Sequence, residues 1–217
     1  MQTPTAPKTP KGQRSRNLIT GTAARLMHDK GIGATSVDDV LAASGTGKSQ
    51  MYHYFRNKQE LTAAVLEYQF ERIMAAQPSL HDQSCTDLAQ WRQEVLEANE
   101  RGCFAGCPLG TFAGQLGGSD SLRALFADLF GKWQLAVAGL VERAEQDGRV
   151  SPGSGSRDAA LVLLGALEGG AMLSHIHGRQ DALERMLDTA LASIGAEPAA
   201  LTPTSTVSAA RRDDSLL

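Results

Sequence analysis

The sequence predicts an all-helical (all-α) protein, with a small three-helix N-terminal domain and a larger helical C-terminal domain. Aromatic residues make up only 5% of the 217 residues, while Ala and Leu are abundant, which favours helices over sheets. Apolar residues recur at helical spacing, and Ser, Asn and Gly stand where these patterns begin and end. We expect a flexible basic arm (1–13), a first domain (14–58), a second domain (59–195) and a disordered tail (196–217).

The first helix is predicted over residues 14–30 and a second, short helix follows it. Ser36-x-x-Asp39 is a capping-box pattern, in which the serine hydroxyl satisfies a free helix N–H and the carboxylate reaches back. Gly45 ends this helix, since glycine tolerates the left-handed conformation of a tight stop.

A third helix is predicted from about Lys48 to Phe55. Met51, Tyr54 and Phe55 form its inward set, and its other side carries Lys48, Ser49, Gln50 and His53. Two short helices joined at a glycine, the second with a cationic and amide-rich face, are typical of a helix-turn-helix (about 36–55) that reads DNA.

These residues resemble the DNA-binding region of the TetR family. The resemblance rests on IGATSVDDV at 32–40, Ser44-Gly45, Lys48, YHYF at 52–55 and Lys58, and on residues 23–27 with Gly31 in the first helix. Leu41, Thr46 and Gly47 depart from the family pattern. Because Gly47 stands where a capping Ser or Thr is usual, Thr46 is expected to cap the recognition helix.

The resemblance implies a homodimeric transcriptional regulator that binds a pseudo-palindromic double-stranded operator and is released by a small effector, most simply a repressor and not an enzyme. No cofactor or metal is implied. The residues implied to contact DNA phosphates are Thr35, Ser36, Tyr52, Tyr54 and Lys58. Those implied to face the bases are Lys48, Ser49, Gln50 and His53. Thr46 lies at the start of the recognition helix.

A competing pattern crosses the same region, because Ala42-x4-Gly47-Lys48-Ser49 satisfies a relaxed phosphate-loop expression. A true phosphate loop follows a buried strand, whereas the preceding segment is polar in its middle and carries a helix cap. A nucleotide-binding enzyme therefore remains only as a weaker alternative.

Charge is distributed unevenly along the chain. Residues 1–58 hold nine Lys and Arg against three acidic residues, a net charge of +6. Because the whole chain has a net charge of −3, the remaining residues carry −9. A basic module on an acidic body suits a protein that presents one end to a polyanion. No secretory signal and no apolar run approaching a membrane span is evident, so we expect a cytoplasmic protein.

The C-terminal domain is predicted as a series of helices. They are expected from Asn57 (capping box with Glu60) to 76, from Ser84 to 101, at 108–116 with glycine interruptions, from Ser119 to 147, from Ser156 to 177, and from 179 to 194. The helix after Ser156 is apolar almost all round, which requires burial on both sides. In the resembled family the last two helices form the dimer interface.

The resemblance also places a small-molecule site among the middle helices. The residues proposed to line it are Phe70, Met74, Trp91, Phe104, Phe112, Trp133, Leu167 and Met172, which favour an apolar or aromatic ligand. The two indoles are the stronger candidates because a buried indole N–H requires a partner.

Cys103 and Cys107 leave a second alternative open, a thiol-based redox-sensing regulator. Packed free thiols are the simpler interpretation, because a cytoplasmic compartment is reducing. Cys107 precedes Pro108 at a predicted helix start, where a helix dipole could lower its pKa. His175 and His177 project in different directions on a helix, so they cannot share a metal ion.

Overall fold

The computed structural model describes residues 9–103, 105–153 and 155–196, and in these ranges it is helical without β-strands. The helices are α1 (Pro10–Lys30), α2 (Val37–Ser44), α3 (Lys48–Tyr54), α4 (Lys58–Ala75), α5 (Leu88–Arg101), α6 (Asp120–Gln146), α7 (Ser156–His177) and α8 (Asp181–Ser193). Two 3₁₀ turns, Pro78–Leu80 and Gly110–Phe112, complete the chain path. The all-helical fold is confirmed.

Helix α1 begins earlier than predicted. The Thr9 side chain accepts a hydrogen bond from the Gly12 N–H, and Pro10 occupies the first turn, where a missing N–H costs nothing. Residues 10–13 of the predicted arm are therefore helical, and residues 1–8 lie outside the described residues, as does the predicted tail beyond Ala196.

Local caps set most of the remaining helix starts. Asn57 accepts from the Glu60 N–H, and Ser119 accepts from the Leu122 N–H, as predicted. The Glu60 carboxylate, however, accepts from the Arg56 N–H instead of completing a capping box with Asn57.

Two predicted serine caps are wrong. Helix α5 begins at Leu88 with Asp87 as its cap, because Ser84 instead donates to Asp82. Ser156 is already the first residue of α7, and its hydroxyl donates to Glu142 of α6. Near residues 108–116 the glycine-interrupted segment forms only the 3₁₀ turn Gly110–Phe112.

Helix α7 occupies the centre of the C-terminal domain, between α6 and α8. It approaches α8 closely at Gly170, where a Cβ atom would lie 2.7 Å from the Leu183 Cα atom. Only glycine fits there. Helix α4 packs against both α1 and α6, so it links the two domains.

Helices α6 and α7 are long and apolar enough to meet a membrane-span criterion, with mean hydropathy of 1.3 and 1.6 over 18 residues. This differs from the expectation that no segment approaches a span. About a third of the α6 window and half of the α7 window are buried inside the fold, and buried core helices meet the same criterion.

Candidate nucleic-acid interface and ligand cavity

The helix-turn-helix is held by local hydrogen bonds and a small core. The Ser36 hydroxyl accepts from the Asp39 N–H at 3.0 Å, and the Asp39 carboxylate accepts from the Ser36 N–H at 2.8 Å. The Ser36 N–H and the Ser36 hydroxyl, both donating to this carboxylate, hold the pKa of Asp39 below its usual value. Gly45 has φ 65° and ψ 21°, the left-handed stop that the sequence predicts. Met51 and Phe55 are fully buried, so the inner side of α3 packs against the core of the domain.

The outer side of α3 is polar and free for contact. Lys48, Ser49, Gln50 and His53 are all exposed, and so is Tyr52. The Lys48 ammonium lies 3.2 Å from the Asp38 carboxylate, but both side chains are mostly in solvent, so this pair is weak and exchangeable.

The structure gives Thr35 a different role from the predicted phosphate contact. Its side chain is fully buried, and its hydroxyl lies 2.8 Å from the Gly31 carbonyl and 3.1 Å from the Leu26 carbonyl. Thr35 thus fixes the turn between α1 and α2. Thr46 does not cap α3 either, because its hydroxyl bonds to the Ser44 hydroxyl at 2.7 Å.

The remaining predicted phosphate contacts lie at the edges of this surface. Ser36 is exposed, although its hydroxyl already serves the capping box. Tyr54 is half-buried with its ring edge-on to His53. The Lys58 ammonium lies 3.3 Å from the Gly33 carbonyl, beside the α1–α2 turn.

The segment of the phosphate-loop pattern is helical. Residues 42 and 43 belong to α2, and no strand precedes Gly47 in the described part of the chain. The strand-loop-helix arrangement that a nucleotide phosphate requires is therefore missing from this region.

A cavity of about 700 Å³ lies where α1, α4 and α5 meet α6, α7 and α8. Two of the predicted residues, Trp133 and Leu167, line it. Phe70, Met74, Trp91 and Phe112 pack in or against the core instead, and Phe104 lies outside the described residues. Met172 is 56% exposed on the outer side of α7 and does not line this cavity.

Gln77, which also lines this cavity, joins the two tryptophans. Its Oε1 atom accepts from the indole N–H of Trp91 at 2.8 Å and from that of Trp133 at 3.2 Å. The three side chains are 4%, 0% and 1% exposed. Both indole donors therefore have the partner that burial demands, and one amide holds α4, α5 and α6 together.

The lining is more polar than the sequence interpretation expects. Helices α1, α4 and α5 add charged and polar side chains that it missed: Arg25, His28, Asp29, Tyr68, Gln69, Arg72, Asn99 and Arg101. Their spacing offers a signal, since positions 25, 28 and 29, and 68, 69 and 72, each fall on one side of a helix. The sequence pattern places α1 in the DNA-binding domain, and only the packing of α1 against the C-terminal helices brings these positions to the cavity.

The cysteines are free thiols in different surroundings. Cys103 is exposed, whereas Cys107 is buried and its Sγ atom accepts from the Gly110 N–H at 3.2 Å. Burial raises the pKa of the Cys107 thiol well above its usual value, and the neighbouring Glu168 raises it further. The expected lowering by a helix dipole is wrong because no α-helix begins at Pro108. Within the described ranges, no group of three or more His, Cys, Asp or Glu could hold a metal ion.

Hydrogen bonds connect the C-terminal domain to the turn after α1. The Gln115 amide oxygen accepts from the Ile32 N–H at 2.8 Å, and its amide nitrogen donates to the Thr111 carbonyl. Gln59 of α4 donates to Ser119 and Ser121 at the start of α6. The segment that borders the cavity at residues 105–108 thus reaches the DNA-binding domain through Gln115.

Comparison with known proteins identifies both halves of the chain. Residues 19–65 match the model of bacterial regulatory proteins of the tetR family, and residues 88–190 match that of the tetracyclin repressor-like C-terminal domain. The chain is 27% identical over 203 residues to the transcriptional regulator AcuR of Cereibacter sphaeroides, covering 86% of this chain and 92% of AcuR.

Solved structures agree with this assignment. The regulatory protein TetR from Rhodobacter sphaeroides superposes with a TM-score of 0.73 at 24% identity, over 81% of this chain and 96% of that one. The SmeT–triclosan complex, SmeT being the repressor of a Stenotrophomonas maltophilia multidrug efflux pump, gives a TM-score of 0.67 at 20% identity, over 83% and 91%. At these identities the likeness concerns the fold.

Proposed function

The chain belongs to the TetR family of bacterial transcriptional regulators, and we propose that it is a homodimeric repressor that a small effector releases from a pseudo-palindromic operator. The observation that carries the proposal is the polar outer side of α3, which is exposed while its inner side is locked in the core. Because its partner is DNA, we place its action in the cytoplasm.

The α3 surface supports base readout in a major groove. Gln50 can pair bidentately with adenine, while Lys48 can reach a guanine edge or a phosphate. Tyr52 and Lys58 flank the helix and are suited to fix its register on the phosphates. In a two-fold dimer the two α3 helices would enter grooves about 34 Å apart, which predicts an operator with two inverted half-sites.

An exposed apolar stripe on α7 supports the dimer. Leu161, Val162, Met172 and Ile176 are each at least 48% exposed, and Gly165 faces open space between them. Isolated apolar side chains on a surface are common, but a continuous stripe along one helix is typical of an interface. A second copy covers it most simply, because two identical stripes related by a two-fold axis are self-complementary.

The apolar stripe of α8 is already used within the subunit. Leu183, Leu187 and Leu191 are buried against α7, and the outward side of α8 is polar. We therefore propose that α7 forms the centre of the dimer interface and that α8 contributes only to its rim.

The cavity supports release by an effector, because it is lined from both domains. Arg25 and His28 belong to α1, whereas Trp133 and Leu167 belong to the C-terminal helices. A ligand that draws these groups together would move α1 against the rest of the subunit. The SmeT structure contains triclosan, which supports a small-molecule site in a protein of this fold.

DNA upstream of the protein's own gene provides a direct test by fluorescence anisotropy. Lys48→Ala should weaken binding and, where the lysine contacts a phosphate, reduce the slope of log affinity against log salt by about 1. Gln50→Ala should cost about 1–3 kcal/mol of discrimination at one base pair. Lys132→Ala, which removes an exposed lysine on α6, should bind as the wild type does. Wild-type affinity in both α3 variants would refute the proposed interface.

The oligomeric state provides the second test. Ile176→Glu should shift the protein from dimer to monomer at micromolar concentration, since burying unpaired charges at the interface costs several kcal/mol. The measurement is light scattering after size exclusion, with exposed Gln93→Glu on α5 as the matched control. A wild-type monomer, or an unaffected Ile176→Glu dimer, would contradict the α7 interface.

A further inference from the structure

We infer that the effector of this protein is an amphipathic organic anion, an apolar body that carries one carboxylate. The inference rests on the proposed function, in which the cavity between the domains holds the effector. It also replaces the purely apolar or aromatic ligand that the sequence favours. Its basis is the division of the cavity lining into a cationic mouth and an apolar floor.

Three helices each place an arginine at the mouth. Arg25 comes from α1, Arg72 from α4 and Arg101 from α5, and all three are exposed lining residues. Guanidinium groups bind carboxylates and phosphates through two parallel N–H bonds, so such a mouth favours an anionic ligand.

Existing contacts distinguish Arg72 from the other two arginines. Arg25 lies 4.0 Å from Asp29, and Arg101 lies 3.4 Å from Glu97, so each already has an acidic neighbour. Arg72 stacks over the Tyr68 ring at 5.8 Å and donates weakly to the Gln69 amide at 3.5 Å. Among the described residues no carboxylate lies within 4.0 Å of it. Arg72 is therefore the one arginine of the mouth without an acidic neighbour in the described part of the chain, which matches a ligand with a single negative charge.

His28 adds a second group, of which only one ring nitrogen lacks a partner, because its Nδ1 atom lies 3.7 Å from the Asp29 carboxylate. Its Nε2 atom is buried without a hydrogen bond in the described part of the molecule, although the residue lines the cavity. A buried polar atom left unpaired is costly, so such an atom at a cavity wall indicates a ligand group. When both ring nitrogens carry a proton, Nδ1 can face Asp29 while Nε2 donates to the ligand carboxylate.

The opposite end of the cavity is apolar. Trp133, Leu167, Ala171 and Leu183 of α6, α7 and α8 line it and are buried. A volume of about 700 Å³ suits a small organic molecule. The geometry therefore favours an aromatic or aliphatic body inserted first, with the charged end held at the mouth beside α1.

The test uses four probes that share a phenylalkyl body and differ in the head group: 4-phenylbutyrate, 4-phenylbutanol, 4-phenylbutylamine and 3-phenylpropyl phosphate. Binding to the full chain is measured by calorimetry and by quenching of tryptophan fluorescence. We expect the carboxylate to bind at least about tenfold more tightly than the alcohol and the amine, because neither of these offers a negative charge to a charge-assisted pair. It should also bind more tightly than the phosphate, whose second negative charge meets no second arginine without an acidic neighbour.

Two variants connect that preference to the site. Arg72→Met should weaken binding of the carboxylate about tenfold and leave binding of the alcohol unchanged, whereas Arg72→Glu should reverse the preference towards the amine. Arg123→Met, an exposed arginine on α6 away from the cavity, should behave as the wild type.

Operator binding without any probe is measured first, so that failure of the DNA-binding proposal is seen separately. If the alcohol, amine or phosphate binds as tightly as the carboxylate, or no probe binds, the inference is overturned. Retention of the carboxylate preference in Arg72→Met would also overturn it.

Discussion

Replacing Gln77 by leucine should destabilise the protein, because one amide oxygen serves two buried indole donors. An indole nitrogen only donates, so the oxygen of Gln77 must face both Trp91 and Trp133. Leucine has a similar volume but accepts no hydrogen bond. Each indole N–H left buried and unpaired costs about 1–3 kcal/mol, which gives roughly 2–6 kcal/mol for the pair.

Thermal unfolding followed by circular dichroism measures this loss at a fixed protein concentration, since the melting temperature of a dimer depends on concentration. In a domain of this size 1 kcal/mol corresponds to roughly 2–4 °C, so Tm should fall by roughly 4–24 °C. Gln93→Leu, which removes an exposed glutamine on the adjacent helix, should change Tm by no more than about 2 °C.

A double-mutant cycle separates the hydrogen bonds from other effects of the leucine. Trp133→Phe removes one donor, so the loss caused by Gln77→Leu should be about 1–3 kcal/mol smaller in that background. Equal losses in the two backgrounds, or a Tm of Gln77→Leu within about 2 °C of the wild type, would refute the reasoning.

Two further predictions follow from the cysteines and from the contact between domains. In native protein the aromatic disulfide DTNB should modify one of the three thiols quickly, because Cys103 is exposed while Cys85 and Cys107 are buried. Cys103→Ser should abolish that fast phase, and a fast phase that persists would mean that Cys85 or Cys107 is reactive. Gln115→Ala removes the acceptor of the Ile32 N–H. It should destabilise the protein by about 1 kcal/mol and reduce, severalfold, the factor by which a bound ligand lowers operator affinity. Anisotropy with and without ligand measures that factor. Gln93→Ala, at an exposed position on α5, is the control, and an unchanged factor in Gln115→Ala would contradict the coupling.

The sequence by itself determines the helix-turn-helix and most helix boundaries, because the signals are local. Ser36 and Asp39 are three residues apart, and so are Asn57 and Glu60, so the cap forms wherever the rest of the chain lies. Gly45 adopts its left-handed conformation for the same local reason. The residue pattern of α3 also predicts which of its sides is buried, because this seven-residue helix packs against a single small core.

Burial between distant segments depends on the tertiary structure. The sequence pattern of α7 is apolar on both sides, and only its packing between α6 and α8 shows that Leu161 and Ile176 face outward while Leu164 is buried. Thr35 and Cys107 look polar and reactive in the sequence, but the surrounding helices enclose both. The cavity likewise joins positions far apart in the chain, so no local pattern could place α1 at its wall. Helix periodicity fixes which residues share a face, whereas the partner of that face is chosen by long-range packing.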